Sequence, residues 1–296
     1  MWAFCGERVV AALLVVTAAL GAPRSLVAAP LPARDGVLAA CGEAQAAGRT
    51  DRLQALQVQL TALHPAPAPP AELEADAAAL IACGAPSAAR RVLARHSPAP
   101  GPRRQRWLML DWQAASLALD HRAAAEALLA LAAGEPWRLQ DLQLPPPPGP
   151  AGPAGPLALD ALATHLEALG RRRQAAELLL AGGGEGERRA SRLRQVARLR
   201  DDLPLAERQR LLEQALDLAA AAGAWGLASD LLNDQALLPV SGARGRQLRL
   251  SRGIDDAYGE WQLRRQDAPD APRTRQLERQ LRSPTDASSH DRPPPR

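Results

Sequence analysis

The sequence has 296 residues, of which 47% are hydrophobic, and its formal net charge is +4 at pH 7. Nearly all of the apolar residues are Ala and Leu, and the chain contains only one Phe and one Tyr. This composition argues against a β-sheet protein, because strands are rich in β-branched and aromatic residues. Every basic residue is Arg, without the dense basic stripe of a dedicated nucleic-acid-binding protein. We therefore expect an all-α fold and no specific nucleic-acid partner.

Residues 1–29 have the pattern of a signal peptide. Arg8 precedes an apolar stretch over 9–20, which is too short to span a bilayer comfortably. Small residues permit cleavage after Gly21 or after Ala29. The pattern predicts export to the periplasm, the extracellular space or another non-cytoplasmic lumen, with no stable membrane span after cleavage. An uncleaved anchor or a buried N-terminal helix is the alternative.

Apolar spacing and helix-start residues predict eleven helices over the following two hundred residues. Pro70 and Pro204 stand where first helical turns begin, and Thr50 starts another helix. The predicted helices cover 33–47, 50–64, 70–83, 86–96, 103–118, 121–133, 157–169, 171–181, 186–201, 204–222 and 224–236.

The turns between these helices recur at a period of about 36 residues. Turn residues are expected at Gly48, Gly84, Asp120, Gly170 and Gly223. Small or apolar residues follow each turn by five and eight positions, namely Leu53 and Leu56, Ala89 and Val92, Ala125 and Leu128, Ala175 and Leu178, and Ala228 and Leu231. The two longer intervals contain a Pro/Gly-rich insert over 145–156 and an extra helix. The pattern indicates a repeated helix hairpin.

Helix pairs of this period resemble the tetratricopeptide repeat and related α-solenoids. The closest match runs from Ala168-Leu169-Gly170-Arg171 through Gln174 to Leu179, like the turn and second helix of such a repeat. The family's aromatic positions are mostly Leu or Ala here. The resemblance implies an α-solenoid of antiparallel hairpins over 30–240, whose extended surface holds a protein or peptide. A plain helical bundle is the alternative.

The C-terminal part, 241–283, reads as an Arg-rich helical segment with one long helix over 243–266. On it, Ile254, Tyr258 and Trp261 form a candidate cap for the open end of the solenoid, since Tyr258 and Trp261 share a helix face. Residues 284–296 are rich in Ser, Asp, Pro and Arg, so we expect a disordered tail there.

Cys41 and Cys83 would both remain after removal of the signal peptide. Export favours a disulfide between them. Their positions relative to the turns Gly48 and Gly84 differ by six residues, about 9 Å along a helix, and a disulfide requires Cα atoms within roughly 7 Å. The axial offset slightly outweighs the argument from export. We therefore marginally favour two packed free thiols, with a disulfide as the alternative.

No catalytic or phosphate-binding motif occurs, and the histidines lack metal-ligand spacing. We predict no catalytic residue, no cofactor and no metal site. The candidate surface for an anion or an acidic partner consists of six arginines, Arg171, Arg172, Arg173, Arg188, Arg189 and Arg192. The alternative is an ordinary solvated helix face in an Arg-rich chain.

The sequence thus favours an exported, non-enzymatic interaction scaffold that binds a protein or peptide. Two alternatives remain. The repeats resemble the helical superhelix of some lytic transglycosylases, which implies a cell-envelope enzyme or part of one, although the C-terminal segment contains no Glu-Ser motif. The Arg-rich C-terminal half also allows an anion- or polyanion-binding protein.

Overall fold

The computed structural model describes residues 34–65, 67–146, 154–238 and 242–282. The predicted signal peptide and tail, and residues 147–153 of the Pro/Gly-rich insert, lie outside these ranges. The described residues form fourteen α-helices: α1 Arg34–Ala46, α2 Thr50–Thr61, α3 Pro70–Ala82, α4 Pro86–Leu93, α5 Pro102–Leu117, α6 His121–Ala132, α7 Ala158–Ala168, α8 Arg172–Ala181, α9 Gly186–Leu199, α10 Leu205–Ala221, α11 Trp225–Ala236, α12 Ala243–Gly253, α13 Ala257–Asp267 and α14 Pro272–Arg282.

Each helix packs mainly against its neighbours in the chain. Helices two apart also touch, as α1 does with α3 and α9 with α11. Within the described ranges there is no β-strand, only an isolated antiparallel bridge between Gln143 and Leu157. The predicted all-α solenoid is confirmed, and all eleven helices predicted before residue 237 are present with ends within three residues.

The core is built mainly from Ala and Leu and divides into two clusters. One cluster joins α1 to α4 and reaches Ala114 on α5. The other runs from α5 to α11. Small Ala side chains, such as Ala89, Ala175 and Ala228 in second helices, let neighbouring helix backbones approach closely while Leu fills the space between them.

Six hairpins share one turn geometry. In each hairpin a residue with positive φ stands two positions before the second helix, and these residues are Gly48, Gly84, Leu119, Gly170, Gly223 and Asp255. The next residue's N–H donates to a carbonyl five residues earlier, as Arg171 does to Leu166, which closes the first helix with a Schellman motif. The hairpins are α1–α2, α3–α4, α5–α6, α7–α8, α10–α11 and α12–α13, and α9 and α14 are additional helices.

The prediction of Asp120 as the third turn position is wrong by one residue. Leu119 takes the left-handed conformation with φ 57°. Asp120 is instead the N-cap of α6, where its carboxylate accepts a hydrogen bond from the Ala123 N–H at 3.1 Å. Five and eight residues after the true turn stand Ala124 and Ala127, which are both buried, as are the predicted Ala125 and Leu128.

The prediction of one continuous helix over 243–266 is also wrong. The helix ends at Gly253, Asp255 takes φ 55°, and α13 starts at Ala257. Asp256 caps α13 by accepting a hydrogen bond from the Gly259 N–H at 2.9 Å. In both hairpins that lack a turn glycine, therefore, an Asp immediately follows the strained residue and caps the second helix. The four glycine turns have no such side-chain cap.

Cys41 and Cys83 form a disulfide in the structure, with their Cα atoms 5.4 Å apart. The expectation of an axial offset too large for a bond is wrong. Stagger between α1 and α3 cancels the six-residue difference, because Cys83 lies just past the end of α3, at the level of Cys41 on α1. Both side chains are fully buried. The bond links the first hairpin of the described chain to the second.

We expect the turn strain and its compensating cap to be separable by mutation. Leu119→Gly should raise the free energy of unfolding by roughly 0.5–1 kcal/mol, because glycine adopts positive φ without a Cβ penalty and Leu119 is exposed. Asp120→Ala should lower it by about 1 kcal/mol through loss of the cap. Urea denaturation measures both. Gly170→Ala is the reverse control and should destabilise the chain, so a stabilising effect there would contradict the shared turn geometry.

The disulfide closes a loop across a sequence separation of 42 residues. Constraining that loop in the unfolded chain is worth roughly 3–4 kcal/mol. We expect Cys41→Ala/Cys83→Ala to lose about this amount in urea denaturation, and the wild-type chain to lose it on reduction. Mass spectrometry of the oxidised chain after alkylation should find no free thiol at either residue. Two alkylated thiols would contradict the bond.

Candidate functional site

Most of the six arginines predicted to form an anion-binding surface are neutralised within the protein. Arg172 Nη1 lies 3.0 Å from an Asp201 oxygen and Arg173 Nη2 lies 3.6 Å from an Asp202 oxygen. Three others also have partners within the protein. Arg188 contacts Asp141 at 3.3 Å, and Arg192 contacts Asp160. Arg189 donates to the backbone carbonyls of Leu179, Leu180 and Gly182. Arg171 lies at the rim of a cleft between α6 and α8.

Arg192 is the clearest departure from the predicted surface. Its side chain is only 3% exposed. Its Nε and Nη2 donate to the two Asp160 oxygens at 2.7 and 3.1 Å, and Nη1 donates to the Gly183 carbonyl. This two-pronged pair ties α9 to α7. Arg192 therefore organises the interior and is not available to an external anion.

The predicted cap residues do not cover the end of the stack. Ile254 and Tyr258 are exposed, and the rings of Tyr258 and Trp261 lie 5.8 Å apart. The last described helix is α14, which packs on α13. Its anchor is the buried Glu260 carboxylate, which contacts Arg252, Arg264 and Arg273 at 2.8 Å each. The hydrogen bond from Arg273, followed by that from Arg252, holds the pKa of Glu260 below its usual value.

A chain of three hydrogen-bonded aromatic rings, Trp112, His165 and His121, links α5, α7 and α6. The Trp112 indole N–H donates to His165 Nε2 at 3.2 Å, so His165 carries its proton on Nδ1, which lies 3.0 Å from His121 Nδ1. Burial and, second, the charge of His121 lower the pKa of His165 from 6.5 to about 4. His165 is a neutral core residue that fixes the helices around it.

The lowered pKa of His165 predicts that the free energy of unfolding depends on pH in the acid range. Between pH 6.5 and 4 the unfolded His165 takes up a proton and the folded one does not, so the free energy of unfolding falls as the pH falls through that window, by at most about 3 kcal/mol. His165→Gln should flatten this part of the curve in urea titrations at several pH values. His96→Gln, outside the cluster, is the matched control. An unchanged slope in His165→Gln would contradict a buried neutral imidazole.

An apolar concavity, which we name the apolar cleft, has a volume of about 370 Å³ and lies between α6 and α8 over α7. Its floor is Leu159, Leu162 and Leu166 on α7. The remaining lining residues are Leu129, Pro136, Trp137, Arg171, Gln174, Glu177, Leu178, Ala181 and Gly182. The polar members come from the exposed side of α8. An apolar floor with a polar rim is the usual make-up of a ligand site.

Trp137 forms one wall of the apolar cleft and is 60% exposed. It lies on a short 3-10 turn, Pro136–Leu139, which the sequence analysis did not predict. The available signal was Pro136 followed by a Trp, two residues after Gly134 in the turn that follows α6. Exposed Leu129 stands on α6 at the opposite side. Such large exposed apolar side chains around a concavity mark a contact surface.

No family model, curated protein or solved structure matches the chain. In the described ranges no helix is long and apolar enough to cross a membrane, and no group of three His, Cys, Asp or Glu side chains could hold a metal ion.

Proposed function

We propose that the protein is an exported helical-repeat scaffold, without catalysis, that binds an apolar segment of a partner protein in the apolar cleft. The observation that carries the proposal is the cleft itself, a preformed concavity with an apolar floor and an exposed Trp at its wall. Exposed Trp and Leu side chains gain free energy when a partner covers them, and Trp is among the residues that dominate binding energy in protein interfaces.

The rim chemistry suits a peptide. Arg171, Gln174 and Glu177 are exposed side chains along the α8 side of the cleft and can pair with the polar backbone of a bound segment. The apolar floor would take one or two large side chains from it. A polar rim around a desolvated centre is the common arrangement of a protein–peptide interface.

The disulfide supports the exported part of the proposal. Disulfides persist in oxidising compartments and are rare in the reducing cytosol. The Cys41–Cys83 bond is buried between α1 and α3, so the oxidised state belongs to the packed structure.

Two alternatives have less support. For a cell-envelope hydrolase, a general acid must hold a proton near neutral pH, and the lowered pKa of Glu260 keeps this buried carboxylate ionised. Asp76, the other nearly fully buried carboxylate among the described residues, accepts one hydrogen bond from Arg34 Nε at 2.8 Å and pairs with His64 at 2.7 Å. For a polyanion-binding protein, the predicted arginine surface is largely paired with acidic side chains and backbone carbonyls.

A displayed library of random linear peptides, selected on the mature chain without residues 1–29, tests the proposal. Selected peptides should contain large apolar residues. Leu129→Glu and Trp137→Ala should each weaken their binding at least roughly tenfold, because both changes remove apolar contact area from the cleft. Fluorescence anisotropy of labelled peptides measures the affinity.

The matched control is Val58→Glu. Val58 is also an exposed apolar residue, 64% accessible on α2, and it lies outside the cleft. Its substitution should leave peptide affinity unchanged. Selection of no peptide above background, or equal binding by all three variants, would overturn the proposal.

A further inference from the structure

A second groove occupies the same place in the repeat as the apolar cleft. This polar groove, of about 490 Å³, lies between α11 and α13 over α12, just as the apolar cleft lies between α6 and α8 over α7. Its lining residues are Ser229, Asn233, Ala236, Leu237, Arg244, Gln247, Ser251, Asp256, Tyr258, Gly259, Gln262, Leu263 and Gln266.

The two floors correspond residue by residue when counted back from the turn residues Gly170 and Asp255. Eleven, eight and four positions before the turn stand Leu159, Leu162 and Leu166 in the apolar cleft. The same three positions hold Arg244, Gln247 and Ser251 in the polar groove. Identical repeat geometry therefore presents an apolar floor in one place and a polar floor in the other.

The walls correspond in the same way. Seven and eleven positions after the turn, Glu177 and Ala181 of α8 are matched by Gln262 and Gln266 of α13. On the opposite side, ten positions after the previous turn, Leu129 of α6 is matched by Asn233 of α11. Leu178 and Leu263 are apolar in both.

The polar side chains at the floor of the groove are buried, so having them in place of apolar ones costs the fold stability. Gln247 is 6% exposed and Ser251 3%. In the other five hairpins the residue at the Ser251 position is apolar and buried or nearly so: Ala44, Leu80, Ala115, Leu166 and Ala219. Replacing such a side chain with a polar one forfeits apolar burial and requires hydrogen-bond partners. A ligand that uses the polar groups would explain why the groove has them.

The lining is dominated by amides that are held in place but not saturated. Gln262 Nε2 donates to the Tyr258 hydroxyl at 2.9 Å, Arg244 Nη2 donates to Gln266 Oε1 at 2.8 Å, and Gln247 donates to Asn233 Oδ1. An amide side chain has two donors and an acceptor. Among the described residues, Asn233 Nδ2, Gln262 Oε1 and Gln266 Nε2 have no hydrogen-bond partner. The groove thus offers both donors and acceptors.

The charged residues of the groove are compensated internally. Arg244 Nε lies 2.7 Å from an Asp267 oxygen, in ion-pair contact though not aligned for a hydrogen bond. Asp256 is engaged as the N-cap of α13. The lining therefore leaves no unpaired charge to select a charged ligand, while Leu237, 84% exposed, and Leu263 add apolar area beside the amides. Tyr258, 55% exposed, adds an aromatic face at the edge.

We propose that the polar groove is a binding site for a neutral oligosaccharide. Each sugar hydroxyl both donates and accepts, which matches amide side chains that do the same. The apolar C–H face of a sugar ring stacks on an aromatic ring such as Tyr258. The volume falls within the range of small-ligand sites. This activity is separate from peptide binding in the apolar cleft and uses none of its residues.

Isothermal titration calorimetry of the mature chain with maltotriose, cellotriose and chitotriose tests the proposal. At least one of these neutral trisaccharides should bind saturably. Tyr258→Ala and Gln262→Ala should weaken that binding at least roughly tenfold, by loss of the stacking face and of a hydrogen-bond partner. Both side chains are exposed, so the variants should keep the wild-type melting temperature.

The register-matched control is Glu177→Ala, which alters the corresponding position of the apolar cleft and should leave sugar binding unchanged. Binding of none of the three sugars, or equal binding by the Tyr258→Ala, Gln262→Ala and wild-type chains, would overturn the proposal. So would selected peptides whose affinity falls on Gln262→Ala but not on Leu129→Glu, because the groove would then be a peptide site. Failure of the sugar titration leaves the peptide result at the apolar cleft unaffected.

Discussion

The solenoid depends on arginine–carboxylate pairs that join one hairpin to the next. Ala-rich helix faces pack closely but are smooth, and smooth faces define the relative position of two helices poorly. Directional pairs supply the missing register. Arg34 reaches Asp76 across α1 and α3, Arg194 reaches Asp230 and Asp234 across α9 and α11, and Arg246 holds both oxygens of Glu213 on α10.

The Arg246–Glu213 and Arg192–Asp160 pairs use a property that Arg has and Lys lacks. A planar guanidinium donates two parallel hydrogen bonds to a carboxylate, so it fixes an angle as well as a distance. Exposed pairs contribute little to stability, and their partner can be lost at small cost. The pairs that include buried Asp76, Arg192 or Glu260 differ, because removal of one member leaves an uncompensated charge in the interior. The Arg-rich composition therefore serves the fold first.

The sequence predicts the helices well because Ala and Leu spacing, Pro at first turns and Gly at hairpin turns all indicate the same structure. It fails where an L-residue takes the conformation usually left to glycine. Leu119 carries no turn signal, Asp255 carries only that of an Asp, which tolerates positive φ, and at both positions the strain is compensated by the Asp cap that follows. The internal pairing of the arginines could not be predicted from the sequence either, because Asp160 is 32 residues from Arg192 and only the fold brings them together.

The corrected turns also show what a repeat can vary. The turn and the Schellman bond set the approach of two helices, and these are shared by all six hairpins. The groove between the second helices of neighbouring hairpins does not set how closely two helices approach. Its lining can therefore change from Leu to Gln or Ser if neighbouring residues supply hydrogen-bond partners. At the N-terminal end of the described stack, where α1 has a hairpin on one side only, a disulfide ties it to α3. At the other end the Glu260 cluster ties α14 to α13. Terminal repeats of a solenoid lack one neighbour and open first, so these two ties hold the described stack where packing alone is weakest.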